Sequence, residues 1–344
     1  MKKLLNSLYI TKDNVYLSKE GENIVILESG KVIARYPIHI FESILCFNYT
    51  GVSPELIKMC IEKNVLLSFF TPYGKFCGRI IGTTNGNVLV RKKQYRISET
   101  NESLDFTRNI IYAKAYNSRK ILLRVKIDHF DKINAKKMEK SIKIIEENMI
   151  KIKNSYDKDS IRGLEGVVAK AYFNCFDEMI LKQKDIFRFN TRNKRPPKDM
   201  VNAMLSFLYS ILSHDVQSAL EGVGIDSYVG FFHTDRPGRI SMALDLMEEL
   251  RGFLVDRLVL TLINRNEITE KCFEIKENDA VLLNEKGRNI VIKAYQNRKN
   301  DNIMHPYLKE NIKIGLLPYV QALLLNRYLR EDIDGYPPFM LKEW

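Results

Sequence analysis

Paired cysteines and long apolar runs are both missing from this sequence of 344 residues. The cysteine number is odd, no C-x-x-C spacing occurs, and most neighbours are apolar, so we expect reduced, buried thiols rather than disulfides or a metal site. The cysteines are Cys46, Cys60, Cys77, Cys175 and Cys272. No run approaches the ~18 apolar residues of a spanning helix, and the apolar segment after Met1 is too short for a signal peptide. We therefore expect a cytoplasmic protein.

Glycine-rich and nucleophile motifs are also absent. The sequence has no G-x-x-x-x-G-K-[ST] loop, no G-x-S-x-G elbow and no G-x-G-x-x-G fingerprint. These motifs hold nucleotide phosphates or expose a catalytic serine. Their absence argues against a P-loop NTPase, a serine hydrolase of that type and a Rossmann dinucleotide enzyme.

Positive charge, in contrast, is abundant. The 54 Lys and Arg against 42 Asp and Glu give a net charge of +12. We expect a polyanionic partner, with nucleic acid ahead of an anionic membrane, and an ordinary basic cytoplasmic protein as the alternative. The charge is uneven, with net +15 in residues 1–200 and net −5 in residues 201–250. That acidic stretch is either a solvated helix face or a divalent-cation site in a nucleic-acid groove.

The order of the patterns predicts an α+β fold, with a small N-terminal β-sandwich-like domain followed by a larger all-helical catalytic domain. Residues 1–90 hold short β-branched and aromatic runs, separated by turn residues that include Tyr73-Gly74 and Asn85-Gly86. They predict a mostly antiparallel sandwich with one helix, capped by Ser53 and opened by Pro54.

Residues 91–344 form the predicted catalytic domain, which we expect to be mainly α-helical. An apolar stripe at helical spacing runs through Ile142, Ile145, Met149 and Ile152. Further helices are predicted near residues 160–179, 198–221, 241–265 and 318–330. A small hairpin is predicted over residues 280–292, turning at Glu285-Lys286-Gly287. The tail from about Asp332 is rich in glycine and proline and is predicted to be loose.

Glu165 lies on the apolar stripe of a predicted helix. At about 100° per residue it falls in the sector that Ile161, Val168 and Tyr172 occupy. A carboxylate that faces a core is costly unless it is paired or bound to a metal ion. The glycines at 163 and 166 leave room beside it for a backbone or a ligand. From this helix alone, a Glu that reaches water at the edge of the stripe is an equal alternative.

A second group of candidate ligands follows in the acidic stretch. Asp245 and Glu248 are three residues apart, so both project from one face of a predicted helix. His233 precedes that helix by a short, tightly turned loop and can fold back onto the helix start. One imidazole with two or three carboxylates suits Mg²⁺ or Mn²⁺ better than Zn²⁺. A structural His is the alternative.

A basic loop lies between the two helices. The segment from Arg188 to Lys198 carries five cations and no acid, with aromatic residues at its start. Flexible basic loops of this kind contact phosphates, and a solvated linker is the alternative. The candidate DNA contacts are Arg188, Arg192, Lys194 and Arg195.

Three ordered motifs resemble the CRISPR-associated integrase (Cas-one) family, and the resemblance covers nearly the whole chain. They are Gly163-Leu164-Glu165-Gly166, Arg195-Pro196-Pro197-x-Asp199-x-x-Asn202-Ala203-x-Leu205-Ser206-Phe207, and Gly230-Phe231-Phe232-His233 followed by Leu244-Asp245-Leu246-Met247-Glu248. Residues 234–239 together with residues 245–251 look most like the subtype I-C branch. The resemblance implies that Glu165, His233 and Glu248 are metal ligands, with Asp245 as a second catalytic acid near the metal.

The resemblance also implies a function. It is that of a Mg²⁺- or Mn²⁺-dependent DNA endonuclease and integrase, which inserts short foreign DNA into a CRISPR array by attack of a 3′-hydroxyl on a phosphodiester. It further implies a homodimer, joined through the N-terminal domains, with a small partner subunit in a heterohexamer-like complex on double-stranded DNA. Two alternatives are a non-catalytic architectural protein that binds nucleic acid and a general metal-dependent nuclease.

Overall fold

The computed structural model describes most of the chain. The described residues are 6–47, 50–71, 76–80 and 88–342. The predicted turns at Tyr73-Gly74 and Asn85-Gly86 lie outside them. Among the described helices, none combines the length and the apolar character that crossing a membrane demands.

Two four-stranded sheets form the N-terminal part of the chain. The strands are β1 (Asn6–Ile10), β2 (Val15–Glu20), β3 (Asn23–Glu28), β4 (Lys31–Pro37), β5 (Phe41–Cys46), β6 (Gly51–Val52), β7 (Leu66–Phe70) and β8 (Phe76–Ile80). One sheet has the order β4-β3-β2-β6 and the other β1-β5-β7-β8. Leu17, Ile44 and Leu67 are fully buried in a core of their own. The sandwich-like arrangement is therefore as predicted.

The strand directions differ from the prediction of a mostly antiparallel sandwich. β1, β5 and β7 pair in parallel, and only β8 joins that sheet antiparallel. Parallel neighbours need a crossover connection, and helix α1 (Pro54–Glu62) lies between β5 and β7 in the chain. This helix begins as predicted, because the Ser53 hydroxyl accepts a hydrogen bond from the Leu56 N–H at 3.2 Å.

The rest of the chain is mostly helical. Its helices are α2 (Val88–Ser98), α3 (Ser103–Asp128), α4 (Ala135–Lys153), α5 (Lys158–Asn174), α6 (Met200–Gly222), α7 (Ser241–Met247), α8 (Arg257–Asn264), α9 (Glu285–Asn300) and α10 (Leu317–Leu329). Two short hairpins interrupt them, β9 (Phe273–Ile275) with β10 (Val281–Leu283) and β11 (Asn302–Met304) with β12 (Asn311–Lys313). The α+β class is confirmed, and the second part is mostly rather than wholly helical.

Helix α3 is central to the helical part. It packs against α4, α5 and the π-helical turn at Gly252–Asp256. The predicted stripe on α4 is buried as expected, with Ile145 and Ile152 fully covered. The predicted helix over 241–265 is divided, because α7 ends at Met247 and a turn over residues 248–250 precedes the π-helical turn and α8. A Cβ added at Gly252 would lie 2.9 Å from Ile121 Cδ1 on α3, so the glycine permits this close approach.

The predicted hairpin turn at Glu285-Lys286-Gly287 is wrong. These residues begin α9, because the Asn284 side chain caps the helix by accepting a hydrogen bond from the Gly287 N–H at 3.0 Å. A Cβ at Gly287 would lie 2.2 Å from the Cys272 carbonyl oxygen. Glycine is therefore present for close packing rather than for a turn.

The loose tail predicted from about Asp332 is also wrong. Tyr336, Phe339 and Leu341 are buried. The amide of Asn117 on α3 donates to the Phe339 carbonyl at 2.9 Å and accepts from the Leu341 N–H at 2.8 Å. The glycine and prolines of the tail shape an extended segment, and its apolar side chains fix that segment on the helical core.

A buried carboxylate, Glu249, anchors the same tail. Its Oε1 accepts hydrogen bonds from the Tyr336 hydroxyl at 2.6 Å and the Gln321 amide at 2.8 Å, and its Oε2 accepts from the Phe339 N–H at 2.7 Å. Burial raises the pKa of Glu249 to about 7, although these three donors act in the opposite direction. The carboxyl group therefore changes charge near neutral pH.

Truncation of the tail's central side chain should destabilise the protein. Phe339 is fully buried, and Phe339→Ala removes its packing and leaves a cavity, so we expect a loss of about 3–5 kcal/mol in the free energy of unfolding. Urea unfolding measures the change. Tyr307→Ala is the control, because Tyr307 is 47% exposed and should cost about 0.5 kcal/mol or less. Equal effects of the two substitutions would contradict a docked tail.

Glu249 should make stability fall as the pH rises. Its pKa is higher in the folded chain, about 7, than the ordinary value of 4.5. The folded state therefore binds the proton more tightly than the unfolded state does. The resulting stabilisation of the fold is present below pH 4.5 and is lost as the pH rises through the folded-state pKa of about 7. The loss is on the order of 3 kcal/mol. We expect Glu249→Gln to flatten this part of the profile, measured by denaturant unfolding between about pH 5 and pH 8. A profile with an unchanged slope would contradict the assignment.

Candidate active site

Asp245 on helix α7 binds the loop that contains His233. Its carboxylate is fully buried and accepts four hydrogen bonds. The backbone N–H groups of Phe231 and Phe232 donate to Oδ2 at 2.6 and 2.9 Å. The backbone N–H and the ring Nδ1 of His233 lie 2.9 and 2.6 Å from Oδ1. Because both oxygens are engaged in this way, Asp245 orients the loop rather than offering a free ligand.

Gly230 makes this close approach possible. A Cβ at this position would lie 3.0 Å from Asp245 Oδ2, 2.9 Å from the His233 carbonyl oxygen and 2.7 Å from Ser241 Cβ. Any larger residue would push the loop away from α7. Close packing against α7 therefore explains why the Gly-Phe-Phe-His motif begins with glycine.

The bond to Asp245 fixes which nitrogen of His233 faces the site. With Nδ1 held by Asp245, Nε2 is the ring nitrogen that points toward Glu248. Nε2 lies 3.8 Å from Glu248 Oε1. The prediction that His233 folds back onto the helix start is confirmed, and its ring is held as a potential ligand.

Glu248 follows α7 directly and is almost fully buried, with 3% of its side chain exposed. Its Oε2 lies 2.8 Å from Lys114 Nζ, and its Oε1 lies 2.8 Å from a guanidinium nitrogen of Arg251. Burial acts to raise the pKa of Glu248, but Arg251, Lys114 and His233 outweigh it and lower the pKa to about 2. The carboxylate is therefore ionised throughout the physiological range.

Glu165 reaches the same place from α5. Its carboxylate forms an ion pair with the ammonium of Lys114. A Cβ added at Gly163 or Gly166 would meet no atom of the described chain within 4 Å. The surface beside Glu165 is consequently open, and a pairing partner rather than solvent accounts for its place on the apolar stripe.

Sequence reasoning missed Lys114. It lies on α3, where Ile110 and Ile121 share its face at helical spacing, so the test that singled out Glu165 applies equally here. Burial lowers the pKa of Lys114, but the carboxylates of Glu248 and Glu165 outweigh it and hold the pKa above its ordinary value. The residue is a buried ammonium between two carboxylates.

The donor set of this cluster fits a hard divalent cation. It combines one imidazole nitrogen with the carboxylates of Glu165 and Glu248, the ligand types that Mg²⁺ and Mn²⁺ accept. Glu248 Oε2 is buried and, despite the nearby ammonium, receives no hydrogen bond of acceptable geometry. Within the described ranges, no three His, Cys, Asp or Glu side chains are already spaced as a metal site. The ammonium of Lys114 lies between the carboxylates of Glu165 and Glu248.

A cavity of about 530 Å³ opens beside this cluster. Besides the carboxylates and Lys114, its wall includes Arg251 and the basic-loop residues Arg192 and Lys194. The cavity wall is therefore rich in cations next to the carboxylates, which suits a phosphate-bearing substrate.

The four candidate DNA contacts fall into two kinds. Arg192 is partly buried: its guanidinium donates to Asn202 Oδ1 at 2.6 Å and to Ser206 Oγ at 3.1 Å, and it lies over the Tyr209 ring. It anchors the loop to α6. The more accessible members of the set are Arg188, Lys194 and Arg195.

The other acids of residues 201–250 do not form one surface. Asp215 pairs with Lys299 at 3.2 Å and accepts a hydrogen bond from Tyr295 at 2.9 Å. Glu221 pairs with the buried Arg79. The acidic stretch is therefore neither a single solvated face nor a single cation site, and only part of it contributes to the candidate active site.

Comparison with known proteins gives one consistent family. The family model described as "CRISPR associated protein Cas1" matches residues 8–297. A "CRISPR-associated endonuclease Cas1 1" from Chlorobaculum tepidum is 42% identical and covers 99% of both chains. A "CRISPR-associated endonuclease Cas1 2" from Rhodospirillum rubrum is 43% identical over 99% of this chain and 100% of its own.

A solved structure shares the fold. The structure of a CAS1 protein from Thermotoga maritima superposes with a TM-score of 0.79 at 21% identity, and the match covers 98% of this chain and 100% of that one. The N-terminal sheets and the mostly helical remainder are therefore an arrangement that solved structures also contain.

Proposed function

Because this chain belongs to the Cas1 family of CRISPR-associated proteins, we propose that Glu165, His233 and Glu248 are the metal ligands of its reaction. The protein is an endonuclease and integrase of CRISPR spacer integration. The observation that carries the proposal is the convergence of three elements on one point. Helix α5, the loop before α7 and the end of α7 bring two carboxylates and an oriented imidazole together.

The metal is Mg²⁺ or Mn²⁺ in this proposal. When bound, such an ion acts as a Lewis acid and stabilises the charge that develops as a DNA 3′-hydroxyl attacks a phosphodiester. Glu165 and Glu248 supply anionic oxygens, and His233 supplies Nε2. Asp245 is a positioning residue, because its oxygens hold His233 and the loop backbone. A ligand His233 does not also transfer the proton of the hydroxyl.

The basic loop is the proposed contact for the DNA. Residues 1–200, which include this loop, carry a net charge of +15, and the accessible Lys194 lines the same cavity as the carboxylates. We place Arg188, Lys194 and Arg195 on the phosphates of double-stranded DNA, and Arg192 beneath them as the anchor of the loop. Such contacts hold the duplex without reading its sequence.

Membership of the family also supports a proposal for the assembly and its setting. We propose a homodimer formed through the N-terminal domain of residues 1–90, joined to a small partner subunit in a heterohexamer-like complex that acts in the cytoplasm. Edge strand β4 supports the dimer, because Val32, Ile33 and Tyr36 on it are large, apolar and exposed. Residues 234–239 together with residues 245–251 support assignment to subtype I-C.

Substitution of Glu248 tests the ligand set. Glu248→Gln keeps the shape of the side chain and removes its charge, so metal affinity should fall and strand transfer should drop by about two orders of magnitude or more. The assay measures Mn²⁺-dependent joining of a 3′-hydroxyl duplex end to target DNA, and scores ligated product separately from cleavage. Duplex binding should stay near that of the wild type.

The neighbouring residue gives a matched control. Glu249 carries the same carboxylate one position later, but its oxygens contact Tyr336, Gln321 and Phe339 instead of the site. Glu249→Gln should therefore retain strand transfer at a temperature where it is folded. An inactive Glu249→Gln beside an active Glu248→Gln would overturn the assignment. Cleavage without ligated product in the wild type would favour a general nuclease.

The basic loop can be tested by its salt dependence. Changing Arg188, Lys194 and Arg195 together to Ala removes accessible positive charge, so affinity should fall for every duplex sequence. The slope of log K against log salt should become shallower by about 0.9 for each phosphate that these side chains neutralise in the wild type. Fluorescence anisotropy with two unrelated duplexes measures both. Arg192→Ala is the contrasting variant, because loss of an anchor should lower thermal stability as well. An unchanged slope would exclude the loop as a site of phosphate binding.

A further inference from the structure

Lys114 is the cation that holds the candidate ligands together in the structure. Its ammonium forms an ion pair with Glu165 and lies 2.8 Å from Glu248 Oε2, and 14% of its side chain is exposed. Buried carboxylates this close to each other repel unless a positive charge lies between them. The ammonium supplies that charge from helix α3, while Glu165 lies on α5 and Glu248 directly follows α7.

We infer that Lys114 is a built-in substitute for the metal ion, and that it competes with the ion for the same carboxylate oxygens. The inference rests on the proposed ligand set of Glu165, His233 and Glu248. An ammonium and a dication that contact the same oxygens repel each other. Binding of the ion therefore favours departure of the ammonium.

The surroundings allow the exchange. The lysine stem has four carbons and rotates freely, so its head can leave the carboxylates without a shift of α3. The cavity beside the cluster offers space for the released ammonium, since Lys114 is part of its wall. Arg251 is paired with Glu248 Oε1 at 2.8 Å, so departure of Lys114 leaves this oxygen with its own cationic partner. Glu248 Oε2 and Glu165 are the groups that change partner.

Two consequences follow for the protein. Without metal, Lys114 keeps the acidic cluster neutralised, so the fold does not need the ion. With metal, the ion must first displace an ammonium, so its observed affinity is weaker than the ligands alone would give. Lys114 therefore sets the concentration of divalent cation at which the site fills.

Lys114→Met tests both consequences in the full-length protein. Calorimetric titration with Mn²⁺ should give a dissociation constant at least about tenfold lower than that of the wild type, because no ammonium has to be displaced. Thermal unfolding in EDTA should occur at a lower temperature than for the wild type, and saturating Mn²⁺ should restore it. In the wild type the Mn²⁺-induced shift should be smaller.

Lys170→Met is the matched control. Lys170 is also a lysine that lines the cavity, on α5. It differs from Lys114 in being exposed. Its Mn²⁺ dissociation constant and its Mn²⁺-induced thermal shift should equal those of the wild type. A change as large as that of Lys114→Met would mean that general loss of positive charge, rather than displacement, explains the result, and would overturn the inference.

A second pair of variants covers the case in which Lys114→Met does not fold in EDTA. Lys114→Gln removes the charge but keeps polar atoms, and should also bind Mn²⁺ more tightly; Lys114→Arg keeps the charge and should not. Equal Mn²⁺ affinity in the wild type and both neutral variants would overturn the inference while leaving the ligand set in place. No Mn²⁺ binding by any of them would overturn the ligand set itself, and the inference with it.

Discussion

The hydrogen bonds that converge on Asp245 are the constraint on which the candidate site depends. A buried carboxylate is stable when several N–H groups share its charge, and three of the four donors here are backbone groups of consecutive residues. The loop is therefore fixed by its main chain, and only the fourth donor, the ring of His233, is a side chain. These bonds to Asp245 hold the imidazole against α7, with Nε2 at 3.8 Å from Glu248 Oε1. Glu165 and Lys114 depend instead on how α5 and α3 pack.

Short-range rules were sufficient for much of this arrangement. Helical periodicity placed Glu165 beside the apolar stripe of its helix. The order of strand-like and helical segments was enough for the α+β class. The same local logic predicted the Ser53 cap of α1. In each case the relevant neighbours lie within about one or two helical turns of the residue concerned.

Long-range packing decided what local rules could not. The ion pair between Lys114 and Glu165 joins residues 51 positions apart, so no window of local sequence contains both. At residues 285–287 the predicted turn is replaced by the start of α9, where Gly287 packs closely against Cys272, a residue 15 positions earlier. The tail has the composition of a loop, yet its three large side chains pack on a surface formed by α3, α10 and Glu249. Composition alone carries no information about such a surface.

The docked tail has a consequence for the order in which the molecule is made. Ribosomes build the chain from the N-terminus, and domains fold as their residues emerge. When Glu248 and Glu249 have left the ribosome, the partners of the latter, Gln321, Tyr336 and Phe339, have yet to be synthesised. The buried carboxyl group that adjoins the site therefore lacks its donors until residues near the end of the described chain arrive. The hydrogen bonds of Glu249 are therefore completed only after Phe339 has been synthesised, long after Glu165, His233 and Glu248 have been.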